Sequence, residues 1–186
     1  MLALEDLILE IESGDEPRTR RAKAKLRRLL SQPSFIRKLL PLALEWPDGG
    51  NEKSRQAITA LSMVKDNKSI FYFIAKKLRS RNQNVRAKAA WVLGNLPQQQ
   101  AIPLLKRCAI GDKNERVRVC SLHGLHVLAM SDPSFETKVF DIFARAIDHP
   151  SRIIREAGFE CLSHMRNPRS DGLIGRAFSD PDDEIR

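Results

Sequence analysis

The chain has 186 residues, of which 42% are hydrophobic and only 6% aromatic, and a formal net charge of +9. Most of the apolar mass is Leu, Ile and Ala, which favours helices over a β-sandwich. No stretch approaches the roughly 18 apolar residues needed to span a bilayer, and the first residues lack the basic region of a secretory signal. We therefore expect a helical, cytoplasmic protein with either one ordinary domain or about six helix-pair repeats.

The charge is distributed unevenly along the chain. Residues 1–16 contain six acidic residues and no Lys or Arg, so the other 170 residues carry a net charge of +15. A field of that sign attracts polyanions, acidic proteins or anionic membrane surfaces. The charge alone does not choose among these partners.

Proline residues and turn signals divide the chain into short amphipathic segments. Apolar residues recur in them with a helical period, and no segment shows the period of two that marks a half-buried strand. We predict helix pairs at residues 2–13 with 17–31, 34–45 with 51–65, 69–78 with 84–96, 100–110 with 115–129, and 134–147 with 151–165, followed by a last helix near 170–178.

One pattern recurs in the second helix of several pairs. Arg86, Arg118 and Arg155 are each followed by apolar residues four, seven and ten positions later. The intervals between these arginines are 32 and 37 residues. A period near 32 that contains two helical segments is typical of a solenoid, in which stacked helix pairs bury a continuous core.

The repeated residues themselves resemble a known repeat family. They are Val85-Arg86-x-x-Ala89-Ala90-x-x-Leu93-Gly94-x-Leu96, followed by Ala101-Ile102-Pro103-Leu104-Leu105, and the final Asp180-Pro181-Asp182-Asp183-Glu184-Ile185-Arg186. This pattern resembles the HEAT repeat, most closely the short HEAT-like variety of phycobilisome lyases and many prokaryotic adaptor proteins. The resemblance covers most of residues 34–186. The Trp…Leu-Gly…Tyr pattern of tetratricopeptide repeats is absent.

The resemblance implies an all-α fold, a right-handed α-α superhelix. We predict a single HEAT-like repeat domain over residues 1–186, with about five helix pairs and an incomplete sixth. Because the last seven residues look like the opening of another repeat, we expect the chain to be the N-terminal part of a longer protein.

The same resemblance implies a structural ladder made by Arg86, Arg118 and Arg155. In HEAT-like families this Arg braces neighbouring repeats by bonding to the Asp that precedes it, as in Asp180…Arg186. A ligand-binding role for Arg118 or Arg155 is the alternative.

Helical geometry places another set of positions opposite the apolar stripe of each second helix. The resemblance implies that these positions line a concave groove. The candidate partner-binding residues of this groove are Arg55, Thr59, Lys88, Trp91, Asn95, His123 and Glu160. An aromatic anchor such as Trp91, ringed by polar groups, is typical of a protein-binding hot spot and would also stack a nucleic-acid base. The alternative is that Trp91 fills space between adjacent helices.

The positive charge concentrates outside this groove. The candidate polyanion-binding residues are Arg18, Arg20, Arg21, Lys23, Lys25, Arg79, Arg81, Lys113, Arg116 and Arg152. The last five fall on equivalent loops, which stacked repeats would align along one edge at about 10 Å per helix layer. A line of cations can track phosphates, whereas the alternative is an ordinary solvated edge with cations near helix C-termini.

Residues for catalysis or metal binding are sparse. The three cysteines form no CxxC pair, which argues against a disulfide framework or structural zinc and predicts reduced thiols. Cys120, His123 and His126 resemble metal ligands, but residues six apart on a helix point about 120° apart and do not converge easily. Gly-rich phosphate loops, GxSxG and HExxH are absent. We predict no catalytic residues, no metal and no cofactor.

These observations predict a non-catalytic scaffold or adaptor that binds a protein partner through the groove. The alternative is nucleic-acid binding by the basic N-terminal helix and the loop edge. A HEAT-like DNA glycosylase or a chromophore lyase is a remote alternative that rests on fold analogy. The oligomeric state is left open.

Overall fold

The computed structural model describes residues 2–44, 52–63 and 68–186. Within these ranges the regular elements are all helical, which confirms the all-α fold class. The helices are α1 (Leu2–Glu12), α2 (Glu16–Leu30), α3 (Pro33–Leu44), α4 (Glu52–Ser62), α5 (Lys68–Lys77), α6 (Gln83–Asn95), α7 (Ala101–Gly111), α8 (Glu115–Ser131), α9 (Glu136–Ala146), α10 (Arg152–Ser163) and α11 (Arg169–Ile174), with 3₁₀ turns at Pro133–Phe135 and Gly175–Ser179. Predicted helix ends at residues 45, 51 and 65 lie outside the described residues. None of the described helices is both long and apolar enough to cross a bilayer.

The chain divides into two compact units, Met1–Ile74 and Ala75–Arg186, and each is described by itself. The boundary falls inside α5. In the first unit, α1 packs against α2, and α3 packs against α4. Helix α2 begins where the Asp15 side chain accepts the backbone N–H of Arg18. The prediction of one domain over residues 1–186 stays a prediction.

In the second unit, the second helices α6, α8 and α10 lie side by side. Helix α7 packs against α8, and α9 packs against both α8 and α10. Asn82 and Asn114 cap α6 and α8, because each side chain accepts a backbone N–H from the first turn. Leu93 and Leu125, which occupy the same repeat position, are completely buried. The apolar stripe of each second helix therefore forms the core, and the opposite face is left for function.

Helices α6 and α8 approach each other at backbone contact where Gly94 meets Gly124. A Cβ atom on Gly94 would lie 2.2 Å from the Cα of Gly124. Such a distance is far below van der Waals contact, so a side chain at this point would force the helices apart. The two glycines stand eight and six residues after their repeat arginines, so the alignment of repeats does not reveal this contact.

The last predicted helix differs from the observed one. Regular α-helix ends at Ile174, and the chain continues as the 3₁₀ turn Gly175–Ser179. Gly172 and Gly175 each lower helix propensity by about 1 kcal/mol relative to Ala, which explains the early end.

Candidate partner-binding site

Two of the seven predicted groove residues, Arg55 and Thr59, lie on α4 in the first unit. Arg55 donates to Glu52 at 2.7 Å and to Glu12 at 2.8 Å, and these hydrogen bonds raise the pKa of its guanidinium. Thr59 is half-buried. Arg55 therefore joins α4 to α1, and its charge is matched within the first unit.

The other five groove residues form one surface of the second unit, which we call the second-helix surface: Lys88, Trp91 and Asn95 of α6, His123 of α8, and Glu160 of α10. The Trp91 and His123 rings meet edge to face, with centroids 6.4 Å apart. His123 Nε2 lies 3.1 Å from Glu160 Oε2, and the Asn95 amide donates to the Trp91 carbonyl at 2.9 Å. The side chains thus form a row across three adjacent helices.

Trp91 is half-buried in this row. One part of the indole contacts the neighbouring second helix through His123, and another part faces solvent. The buried part of the ring fits the interpretation that Trp91 fills space between helices, and the exposed part fits the interpretation that it anchors a partner.

Two further histidines, His126 and His164, extend the second-helix surface, and neither is among the candidate groove residues predicted from the sequence. Their rings meet edge to face at 5.1 Å, and His164 Nδ1 lies 2.9 Å from the Glu160 carbonyl oxygen. Burial, and then the nearby His164 and His123, lower the pKa of His126 below its usual 6.5. They stand eight residues after Arg118 and nine after Arg155, so the repeat alignment does not show that the rings meet.

The metal-like pattern that includes Cys120 does not form a ligand set. The Cys120 side chain is buried, His123 faces Glu160, and the His126 ring meets the His164 ring edge to face. Among the described residues, no cluster of three or more His, Cys, Asp or Glu side chains could hold a metal ion.

Two of the three repeated arginines form bidentate ion pairs with a loop carboxylate. Arg86 Nε and Nη2 donate to Asp112 at 2.8 Å each, and Arg155 makes the same two bonds to Asp180, also at 2.8 Å each. Each carboxylate belongs to the next loop, 26 or 25 residues later, and not to the loop that precedes the Arg. The preceding loop instead offers backbone oxygens, such as that of Ser80 at 3.0 Å from Arg86 Nη1. The structure therefore corrects the expected partner: each of these two guanidiniums bridges two successive loops.

The predicted polyanion-binding residues lie in both units. Arg18, Arg20, Arg21, Lys23 and Lys25 are on α2, where Arg18 pairs with Asp15 at 3.3 Å. In the second unit, Arg79, Arg81 and Lys113 are exposed on the loops before the second helices, and Arg116 is exposed in the first turn of α8.

Arg152 does not extend this basic edge as a free cation. It pairs with Glu184, with Asp182 at 3.7 Å and with Glu156 at 3.9 Å. The predicted line of cations is therefore interrupted after the second loop. The sequence could not show this, because two of the three carboxylates come from the next repeat.

A family model for HEAT repeats matches residues 71–134. Residues 71–134 are therefore a segment of HEAT repeats. Its fold is similar to that of the Escherichia coli protein YibA, with a TM-score of 0.65 and 15% identity over 88% of this chain and 58% of that one. It is also similar to that of a chain in the complex of CpcE and CpcF of phycocyanin lyase from Nostoc sp. PCC7120. The TM-score is 0.63, and the identity is 17% over 83% of this chain and 95% of that chain.

At such identities these likenesses show the HEAT-like fold alone. The chain spans 58% of the length of YibA. No protein among the curated sequences matches it. The helical repeat solenoid is consistent with a protein-interaction scaffold.

The HEAT-like ladder has one irregular position, Arg118. Its loop partner is His149, which stands where Asp112 and Asp180 stand in the neighbouring loops. Arg118 Nη1 lies 2.9 Å from His149 Nε2, while the Ser151 backbone N–H donates to His149 Nδ1 at 3.0 Å. A neutral imidazole has one acceptor nitrogen, so it cannot satisfy both donors. The buried Nε of Arg118 also has no hydrogen-bond partner among the described residues.

We expect His149→Asp to stabilise the second unit, because a carboxylate has enough acceptor sites for both donors. The free energy of unfolding should rise by about 1.5 kcal/mol near neutral pH, the contribution of a charge-assisted hydrogen bond. Chemical denaturation followed by circular dichroism measures it. In an Arg118→Met background the same substitution should bring no gain, and an equal gain there would contradict the explanation.

The difference in free energy of unfolding between His149→Asp and the parent should increase as the pH is lowered. Burial, and then the positive charge of Arg118, lower the pKa of His149, while Glu115 opposes this shift and Arg155 adds slightly to it. The unfolded imidazole therefore binds a proton first, and the parent loses stability as pH falls below about 6.5. A gap that stays constant between about pH 7.5 and pH 5.5 would show that His149 does not titrate with folding.

Proposed function

We propose that the protein is a non-catalytic scaffold that binds a protein partner through the second-helix surface. The observation that carries this proposal is the row of Trp91, His123 and Glu160 across three consecutive second helices. A half-buried indole beside polar groups has the composition of a binding hot spot, since it offers a large apolar contact area at little cost in conformational entropy.

The dimensions of the row favour a partner segment over a small ligand. Neighbouring helices are about 10 Å apart, so a row over three helices extends for about 20 Å. Lys88 on α6 and Glu160 on α10 place opposite charges toward the two ends of the row. Such an arrangement would orient a bound segment more than it would add affinity.

The described cysteines support a binding role over nucleophilic catalysis. Cys108, Cys120 and Cys161 are all buried in the second unit, and burial raises the pKa of each thiol. A buried thiol with a raised pKa is a poor nucleophile. These side chains act as small apolar packing residues.

Replacing Trp91 with Ala tests the proposal. Peptides selected on the parent chain from a random display library should bind at least about tenfold more weakly to Trp91→Ala, because loss of a hot-spot side chain costs about 2 kcal/mol or more. Calorimetry measures the affinities. Circular dichroism should show an unchanged helical content.

The matched control is Phe178→Ala, which removes an aromatic side chain that is 76% exposed and lies outside the second-helix surface. Its affinities should stay within about twofold of the parent, well below a hot-spot effect. Peptides that bind Trp91→Ala as tightly as the parent, or that lose affinity equally in both variants, would place the interaction elsewhere.

A further inference from the structure

A cleft of about 560 Å³ opens between two successive loops of the second unit, at the ends of α6 and α8 where these helices begin. Its charged lining residues are Arg79, Arg81, Arg86, Asp112 and Lys113. Asn114 Nδ2 donates to Gln83 Oε1 at 2.9 Å and joins the two walls. The cleft is thus built from both loops and is separate from the second-helix surface.

The charge inside this cleft is strongly unbalanced. One lining residue is acidic, Asp112, and Arg86 holds its two carboxylate oxygens at 2.8 Å each. Arg79, Arg81 and Lys113 are exposed, and no carboxylate in residues 2–44, 52–63 or 68–186 pairs with them. Three cations therefore share one concave site without an internal counter-charge, and their mutual repulsion would be relieved by an anion.

The equivalent cleft beside Arg155, two repeats further along the chain, shows that the repeat does not need these cations. It measures about 660 Å³ and contains Arg155 and Arg176, each paired with a carboxylate, Asp180 and Asp148 respectively. At the position of Arg79 the later cleft has Asp148. At the positions of Arg81 and Lys113 it has Pro150 and Pro181. The excess charge therefore belongs to the first cleft and not to the repeat architecture.

We propose that this cleft binds a compact phosphate group, a phosphomonoester or a diphosphate. Arginine forks and a lysine ammonium are the groups that recognise phosphate oxygens, and two helix N-termini add positive potential at the same place. The extent of the charge favours a compact anion over a polymer, because Arg152, the edge cation of the next repeat, is already held by Glu184, Asp182 and Glu156. This inference does not depend on the proposed protein-binding role.

Calorimetric titration of the whole chain with inorganic pyrophosphate, at constant ionic strength, tests the site. We expect saturable binding of one pyrophosphate, which weakens at least tenfold in Arg81→Gln combined with Lys113→Gln, because two charge-assisted contacts are lost. The matched control is Arg145→Gln combined with Arg166→Gln, which removes the same charge from exposed positions outside the cleft. Its affinity should stay within about twofold of the parent, as expected for exposed charges outside the site.

Three results would overturn the proposal. The first is no saturable binding of pyrophosphate. The second is an equal loss of affinity in the cleft variant and the control, which would indicate a general charge effect. The third is binding of single-stranded DNA that is tighter than that of pyrophosphate and has a salt dependence of many phosphates, which would make the cleft part of a nucleic-acid surface. Thermal denaturation of both variants verifies that each is folded.

Discussion

Gly94→Ala is expected to lower the free energy of unfolding of the second unit by about 3 kcal/mol, the upper end of the cost of overpacking. The new Cβ would lie 2.2 Å from the Gly124 Cα and 2.6 Å from its carbonyl oxygen. Both are backbone atoms, so no side-chain rotation relieves the clash and α6 must move away from α8. Urea denaturation followed by Trp91 fluorescence, in a Trp46→Phe background, measures the loss close to the contact.

Gly172→Ala is the control for this prediction. Gly172 lies within α11, and a Cβ there would have no neighbour within 4 Å. This substitution should leave stability unchanged or raise it by about 0.5 kcal/mol, because it reduces the freedom of the unfolded chain. Equal effects of the two substitutions would mean that the contact between α6 and α8 is not tight.

Asp112→Ala is expected to destabilise the second unit by about 3 kcal/mol, the low end of the cost of breaking a buried ion pair. The side chains of Arg86 and Asp112 are only 16% and 9% exposed, so the substitution leaves a guanidinium without its bidentate partner. It also removes the acceptor of the Asn114 backbone N–H at 3.0 Å. Urea denaturation near neutral pH measures the effect.

The control is Asp148→Ala, since Asp148 also pairs with an arginine, Arg176, but both side chains are about half exposed. A surface pair contributes about 0–1 kcal/mol, so its loss should be small. A large effect of Asp148→Ala, or a small one of Asp112→Ala, would show that burial does not set the strength of these pairs.

The contribution of Asp112 should also depend on pH. The hydrogen bonds from Arg86 hold the pKa of this carboxyl below its usual value. The stabilisation is therefore complete above the pKa of the unfolded chain, about 3.9, and is lost as pH falls through the lower pKa of the folded protein. The difference between the parent and Asp112→Ala should shrink in strong acid.

The helices of the second unit could be predicted because their signals are local. Asn82 and Asn114 cap their own helices, and Leu93 and Leu125 recur with a period that a sequence displays directly. The division of each second helix into a buried stripe and an accessible face follows from 100° of rotation per residue. The positions of Lys88 and Trp91 on that accessible face needed no further information.

The contacts between those positions could not be predicted in the same way. The repeat alignment places His123 and Glu160 at equivalent positions, but it does not show that their side chains meet at 3.1 Å. His126 and His164 occupy different repeat positions, and their rings meet only because α8 and α10 pack with one particular offset. Offsets between helices depend on the shapes of interlocking side chains, which no single repeat contains.

The sequence by itself determined an all-α repeat fold and the positions of its repeated arginines, because helical periodicity and the repeat period are properties of the chain. The tertiary structure alone decided which loop supplies each carboxylate. Stacking of the repeats places Asp112 beside Arg86, 26 residues earlier, and places His149 beside Arg118. It pairs Arg152 with carboxylates of the next repeat, whereas Lys113 has no paired carboxylate in the described ranges. Electrostatic pairing depends on distances of a few ångströms between loops, and those distances exist only after the repeats have stacked.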